Sequence, residues 1–254
     1  SLTLGNINTF SVSVQDNQHT NTNPERVITS VAGKSASVTL EATNGNISAS
    51  NLNTSNNFGR DGGAISLTAN GGDITADVII SDSEFSEGNS GNGGAINLEA
   101  GGNLTANSIS SESSSSPGSG NSGNGGAINL EAGDNLTANS ISSESSSFSS
   151  FSGTGNGGVI NLEAGGNLNA NSISSESSSF SGNSGNGGAI NLEAGGNLNA
   201  NSISSDSSGN SGNGGVINLE AGGNLTANSI SSDSSSSFSG NSGNGGAINL
   251  EAGG

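Results

Sequence analysis

Between Gly94 and Ser115 the chain reads GAINLEAGGNLTANSISSESSS, with apolar residues at every second position. Ile96, Leu98 and Ala100 alternate with Asn97 and Glu99. Beyond Gly101 and Gly102, Leu104 and Ala106 alternate with Asn103, Thr105 and Asn107. Ile109 then opens a third short segment with Ser110 on its outer side. A period of two is that of an extended strand with one buried face. The absence of an i, i+3, i+4 stripe, with Gly, Ser and Asn dominant, excludes helix. Each predicted strand is three to five residues long and is bounded by Gly or Asn, where the backbone needs a corner.

The block recurs. With the Ile of GGAI or GGVI as marker, copies stand at Ile65, Ile96, Ile128, Ile160, Ile190, Ile217 and Ile248, at spacings of 31, 32, 32, 30, 27 and 31 residues. A weaker copy, SVTLEATNGNISASNLN, precedes them with Val38 in the marker position. Nearly all the length variation falls in the Ser/Gly stretch between SISSE and GNGG, so each repeat is one structural unit with an elastic connector. Short strands of this kind could pair as hairpins. An identical sequence returning every ~30 residues instead places Ile on Ile and Leu on Leu when each repeat is one coil. The expectation is an all-β chain, a single-stranded parallel β-helix (solenoid) of about eight coils of 27–32 residues over 36–254, with Ser/Gly-rich loops on one side. Seven small-to-medium apolar side chains per coil would fill its interior. Residues 1–35 form an atypical N-terminal segment, a partial coil plus a polar loop.

Composition agrees with a thin core. Leu, Ile, Val and Phe number 49 of 254 residues, at the edge of the disordered range and too few for a wide globule. The longest run of large apolar residues, Val78 to Ile80, is far too short for a membrane-spanning helix. There is no Cys, hence no disulfide framework and no thiolate chemistry. All three cations, Arg26, Lys34 and Arg60, are balanced by Asp16, Glu25 and Glu41, so the net charge of −18 belongs to the repeats. Such a surface repels phosphate backbones, which excludes nucleic acid as a partner, and it suits solubility and the capture of inorganic cations.

GGAINLEAGGNLTANSISS with GNGG before it resembles the repeats of filamentous-haemagglutinin-type exoproteins, the large secreted proteins of two-partner systems, especially their Ser/Gly/Asn-rich cyanobacterial versions. The likeness covers roughly residues 36–254. It implies a right-handed parallel β-helix, export to the cell surface and adhesive or fibre-forming roles. The secretion domain of that family is not recognisable here.

Candidate chemistry is sparse. His19 lies in the polar stretch QDNQHTNTNPER, which reads as a loop, and no G-x-S-x-G elbow accompanies it. GNGG occurs six times, which marks turn chemistry rather than a phosphate loop. No catalytic residue is assigned and no enzyme activity is expected. Two rows of acids stand out. Glu99, Glu131, Glu163, Glu193, Glu220 and Glu251 share one outward position, with Glu41 in the weaker copy. Asp82, Glu112, Glu144, Glu176, Asp206 and Asp233 follow the SISS Ile at a fixed offset of three. Stacked coils would bring neighbours within about 4.8 Å. Either divalent cations, calcium (Ca2+) first, neutralise these rows through carboxylate oxygens, or the rows are solvated surface charge. Asn103, Asn135, Asn167, Asn197 and Asn224 are placed to form an axial amide ladder. Three of them begin an NLT sequon, discounted in a ladder position. The Ser tracts could carry O-glycans or stay mobile. Phe148, Phe180 and Phe238, near the ends of the Ser tracts, are expected to fold the loop back onto the coil.

Two function classes remain open. One is an extracellular structural or adhesive fibre, with cell-surface or matrix glycans as candidate partners. The other is a flat-faced binding module such as an ice binder, or a polysaccharide-acting enzyme. The column Thr105, Thr137, Asn169, Asn199, Thr226 is irregular for ice. The ends suggest self-assembly. Ser1, Leu2, Thr3, Leu4 and Ile7 match Asn103, Leu104, Thr105, Ala106 and Ile109 in phase. The last residues, including Ile248, Leu250, Glu251, Gly253 and Gly254, open a coil that such a segment would complete. The expectation is a head-to-tail homopolymer; the competing explanation is a stretch of one longer chain.

Overall fold

A computed structural model describes residues 37–85, 87–116, 120–148, 153–236 and 240–254, together with the backbone of strands Leu2–Leu4, Ser11–Asp16, Arg26–Ile28 and Val31–Ala32. His19 lies outside the described residues. Among the described residues there is no helix, and hence none long and apolar enough to cross a membrane. Every strand pairs in parallel with its equivalent one repeat away, so the hairpin alternative is gone and the chain is a β-solenoid.

Three sheets run along the axis. The first is built from INLEA strands such as Ile96–Ala100, the second from LTANSIS strands such as Leu104–Ser110, and the third from serine strands such as Ser113–Ser115. Six full coils, opened by the strands that carry Ile65, Ile96, Ile128, Ile160, Ile190 and Ile217, contribute a strand to each sheet. They follow a coil with strands Ser37–Ala42 and Ile47–Asn53, and Ala247–Ala252 begins a further one. The N-terminal strands extend the same sheets: Ser11–Asp16 pairs with Ser37–Ala42, and Arg26–Ile28 pairs with Ile47–Ala49.

Register is identity on identity. Ile96 pairs with Ile128, Leu98 with Leu130 and Glu99 with Glu131, and the same holds on the second sheet for Leu104, Ala106 and Ile109. Leu104–Ser110 is one strand rather than two, but its inward phase changes: Ala106 faces in, Asn107 faces out and drops from the ladder, and Ile109 faces in again. That one-residue shift acts as a bend within the strand.

The interior is narrower and more polar than expected. Six apolar side chains per coil are buried rather than seven: Ile96, Leu98, Ala100, Leu104, Ala106 and Ile109 in the coil that starts at Ile96. The rest of the cross-section is filled by serine. Ser111, Ser113 and Ser115 are each 0% exposed, and Ser143, Ser145, Ser175, Ser177, Ser205 and Ser207 repeat the arrangement. The serine tract therefore begins as a third wall of the coil, and only its remainder belongs to the elastic connector. Buried hydroxyls need partners, and the GNGG run supplies them. Ser113 Oγ donates to Gly91 O at 2.7 Å and lies 2.9 Å from Ser90 Oγ, while Ser232 Oγ donates to Gly215 O at 2.6 Å. The two runs also meet through their backbones, with Gly126 N–H donating to Ser111 O at 2.8 Å.

This approach, rather than turn conformation, explains GNGG. Among the described glycines only Gly59 and Gly209 have positive φ. A Cβ on Gly157 would overlap the Ser175 carbonyl and the Gly188 nitrogen, whereas a Cβ on Gly71 would meet nothing within 4 Å. Gly157→Ala is expected to lower stability by about 1–3 kcal/mol or more, because the obstruction is backbone that cannot rotate away. Gly71→Ala should leave the melting temperature nearly unchanged, and paired thermal melts check both.

Candidate functional site: carboxylate and amide columns

On the first sheet Glu99, Glu131, Glu163, Glu193, Glu220 and Glu251 form one unbroken exposed column. Glu41 is in phase but not adjacent, because Thr68 stands between it and Glu99. Parallel to the acids runs an amide ladder: Asn129 Nδ2 donates to Asn97 Oδ1 at 2.7 Å, and Asn161, Asn191, Asn218 and Asn249 continue it at 2.7–2.8 Å. An open groove of about 740 Å³ lies between the two columns. Each coil gives the column one carboxylate, whereas calcium takes six to eight oxygens. Among the described residues no group of three or more Asp, Glu or His side chains converges on a point that could hold a metal ion.

The second acidic row sits at the bend between the second and third sheets and is half-buried from Asp82 to Asp206, with Asp233 exposed. Its members are linked through the serine of the following coil. Ser110 Oγ donates to Asp82 Oδ1 at 2.6 Å and Ser142 Oγ to Glu112 Oε1 at 2.5 Å; Ser174 and Ser204 donate likewise to Glu144 and Glu176. Ser231 Oγ and the Asp233 amide both donate to Asp206, at 2.7 and 2.6 Å. Burial pushes the carboxyls of Asp82, Glu112, Glu144 and Glu176 above their ordinary range; the serine bonds oppose this, and neighbouring acids add to it. The alternation Ser111–Glu112–Ser113, an acid between two buried serines, is the sequence signal for this wall.

Three further amide columns lie outside. Asn135 Nδ2 donates to Asn103 Oδ1 at 3.1 Å, and the backbone amides of Asn167, Asn197 and Asn224 reach the preceding Asn Oδ1 at 2.8–2.9 Å, as the sequence suggested for these positions. The Asn107 and Asn92 columns, not singled out from sequence, are bonded in the same way: Asn139 Nδ2 to Asn107 Oδ1 at 3.2 Å, Asn124 N to Asn92 Oδ1 at 2.8 Å. Thr105, Thr137, Asn169, Asn199 and Thr226 do share a column, and a groove of about 770 Å³ separates it from the Asn107 column.

Comparison with family models, curated proteins and solved structures finds no match to this chain.

The structure also places the aromatic residues and part of the chain ends. Phe148 and Phe180 are each 57% exposed, so neither ring enters the interior of the coil. Phe238 lies outside the described residues, as do Ser1 and Ile7. Leu2, Thr3 and Leu4 fall in the columns of Leu104, Thr105 and Ala106, through Arg26–Ile28, Ile47–Ala49 and Ile74–Ala76. At the other end Ala247–Ala252 has one paired edge; Ile248 and Leu250 are 42% and 54% exposed, and Gly253 and Gly254 bond back to Ala221 and Gly223.

The second acidic row makes stability depend on pH in a defined direction. The folded chain holds protons on Asp82, Glu112, Glu144 and Glu176 more tightly than the unfolded chain, whose values are 3.8 for Asp and 4.5 for Glu. Stability therefore rises as pH falls from neutral through the raised values, and levels off below the unfolded ones. Glu144→Gln should raise the melting temperature at neutral pH and flatten its rise on acidification, as pH-dependent melts would show.

Proposed function

We propose that this chain is an extracellular or cell-surface structural protein of bacterial, cyanobacterial-type origin. In this reading it forms an adhesive fibre on the plan of filamentous-haemagglutinin-type β-helices. The observation that carries the reading is the axial repeat itself. Each coil is covered above and below by a copy with the same residues in the same columns, so the surface that ends one coil is the surface that begins the next. Ala247–Ala252 begins a further coil in that register, with Ile248 and Leu250 in the columns of Ile217 and Leu219. A further coil, whether from a second copy or from the same polypeptide, buries these side chains and pairs the free edge. In the first case Leu2–Leu4 of a second subunit completes the coil begun by Ala247–Ala252, and the head-to-tail contact propagates without closing. In the second the chain is a stretch of a long secreted β-helical adhesin, favoured by the same register.

The long polar faces support display rather than catalysis. They present rows of amides, hydroxyls and carboxylates at about 4.8 Å intervals, suited to multivalent contact with surface or matrix glycans. The net charge of −18 disfavours nucleic acid.

Electron microscopy of the purified 254-residue chain at physiological salt is expected to show unbranched filaments. Isolated short rods at all concentrations would remove the head-to-tail form. Deleting Ser1–Ile7 should shorten or abolish filaments, and truncated chains that still polymerise would sink that junction. Denaturing mass measurement of native fibres separates subunits of 24.3 kDa from one far heavier chain.

A further inference from the structure

Asn followed by Gly is a chemically labile step, because the glycine nitrogen has no neighbouring Cβ to keep it from the asparagine side-chain carbon. The chain has such steps at Asn44, Asn70, Asn92, Asn124, Asn156, Asn186, Asn213 and Asn244. The solenoid treats them unequally.

In the GNGG column both reacting groups are tied into cross-coil hydrogen bonds. Asn92 Oδ1 accepts the backbone N–H of Asn124 at 2.8 Å, and Asn124, Asn156, Asn186 and Asn213 each accept the next in turn at 2.8–2.9 Å. The glycine that would attack is held as well. Gly93, Gly125, Gly157, Gly187 and Gly214 donate their N–H to the carbonyl of the Asn one coil on, at 2.9–3.0 Å. The glycine N–H and the side-chain oxygen of its own asparagine are thus both engaged by the same residue one coil on. Attack requires the local coil contact to open first.

Asn70–Gly71 is built differently. It sits in the exposed turn between the first two sheets, where Gly101 stands one coil on. The Asn70 amide nitrogen reaches Glu41 Oε1 at a weak 3.5 Å. Among the described residues no cross-coil amide holds its Oδ1, Gly71 N–H makes no cross-coil bond, and the space around Gly71 is open. The neighbouring turn at Asn44–Gly45 differs in that Gly45 is buried.

We propose that Asn70–Gly71 is a site of spontaneous covalent modification, and that the asparagine ladder protects the five steps from Asn92 to Asn213. The Gly71 nitrogen attacks Asn70 Cγ and a new N–Cγ bond forms. The Cγ–Nδ2 bond breaks, and ammonia leaves with the proton given up by the glycine nitrogen. Water then opens the cyclic imide to aspartate or isoaspartate. The product places a carboxylate beside Glu41 and, as isoaspartate, adds one backbone carbon in a turn with space for it. The ladder itself tolerates an aspartate, since Asp61 heads it and accepts the Asn92 N–H at 2.7 Å. An isoaspartate there would shift the backbone out of register with the coils on either side.

The test is ageing of the folded 254-residue chain at mildly alkaline pH and 37 °C, followed by Glu-specific cleavage and peptide mass mapping, with a parallel sample aged in urea. In the folded protein Asn70 should convert at least about ten-fold faster than Asn92, Asn124, Asn156, Asn186 and Asn213, while in urea the rates should converge. Equal rates at Asn70 and the laddered positions in the folded chain would overturn the proposal, as would a spread of rates that persists in urea. Gly71→Ala, which has space for its Cβ, should slow conversion at Asn70 alone and leave the melting curve in place.

Discussion

Where Gly126 passes Ser111, two runs of backbone lie within direct hydrogen-bonding range, with Gly126 N–H to Ser111 O at 2.8 Å, and this close passage is repeated in every complete coil. It narrows one half of the coil to a slot that admits serine and little else. Serine suits the slot because its hydroxyl carries a donor to the carbonyls exposed there, as Ser145 Oγ does to Gly123 O at 2.7 Å. An apolar residue of similar size would leave those carbonyls without a partner, at about 1–3 kcal/mol each. The slot therefore dictates both the glycines and the serines, and it explains how a chain so poor in large apolar residues encloses an interior at all.

The other half of the coil follows ordinary strand physics. Ile96, Leu98 and Ala100 face Leu104, Ala106 and Ile109, and identical neighbours above and below fix the register. A slip by one residue would turn every buried side chain outward. Outside, the same periodicity sets columns of amides and acids. The amide columns satisfy one another, Asn to Asn, along the axis. The acids of the exposed row have no such exchange available, while those at the bend recruit the serine of the next coil. One repeat thus carries bonded, charged and half-buried columns at fixed angular positions around the axis.

This arrangement has a chemical consequence. A column of bonded asparagines is a continuous structure in which each side chain is held by the next coil, so its lability depends on the opening of coils rather than on local sequence. The open turn at Asn70 and the closed column from Asn92 to Asn213 have the same dipeptide and different surroundings. Durability of that kind fits a protein proposed to work outside the cell as part of a fibre.

The repeat length, the period-two blocks and the identical columns of Ile96, Leu104 and Glu99 were legible in the sequence, because apolar and polar residues differ at neighbouring positions there. So was the ladder at Asn103. The serine wall was not: in SSESSS the inward and outward residues are nearly all serine, and only Glu112 marks which face is out. The glycines of GNGG read as turns, yet none has a positive φ, and their need for glycine comes from contact with carbonyls such as those of Ser111 and Ser175, about half a repeat further along the chain. Periodicity by itself determined that the chain coils and which apolar residues face inward. Which polar residues enter the interior, and which asparagines are held, was decided by contacts between segments some 17 to 32 residues apart, which only the closed coil brings together.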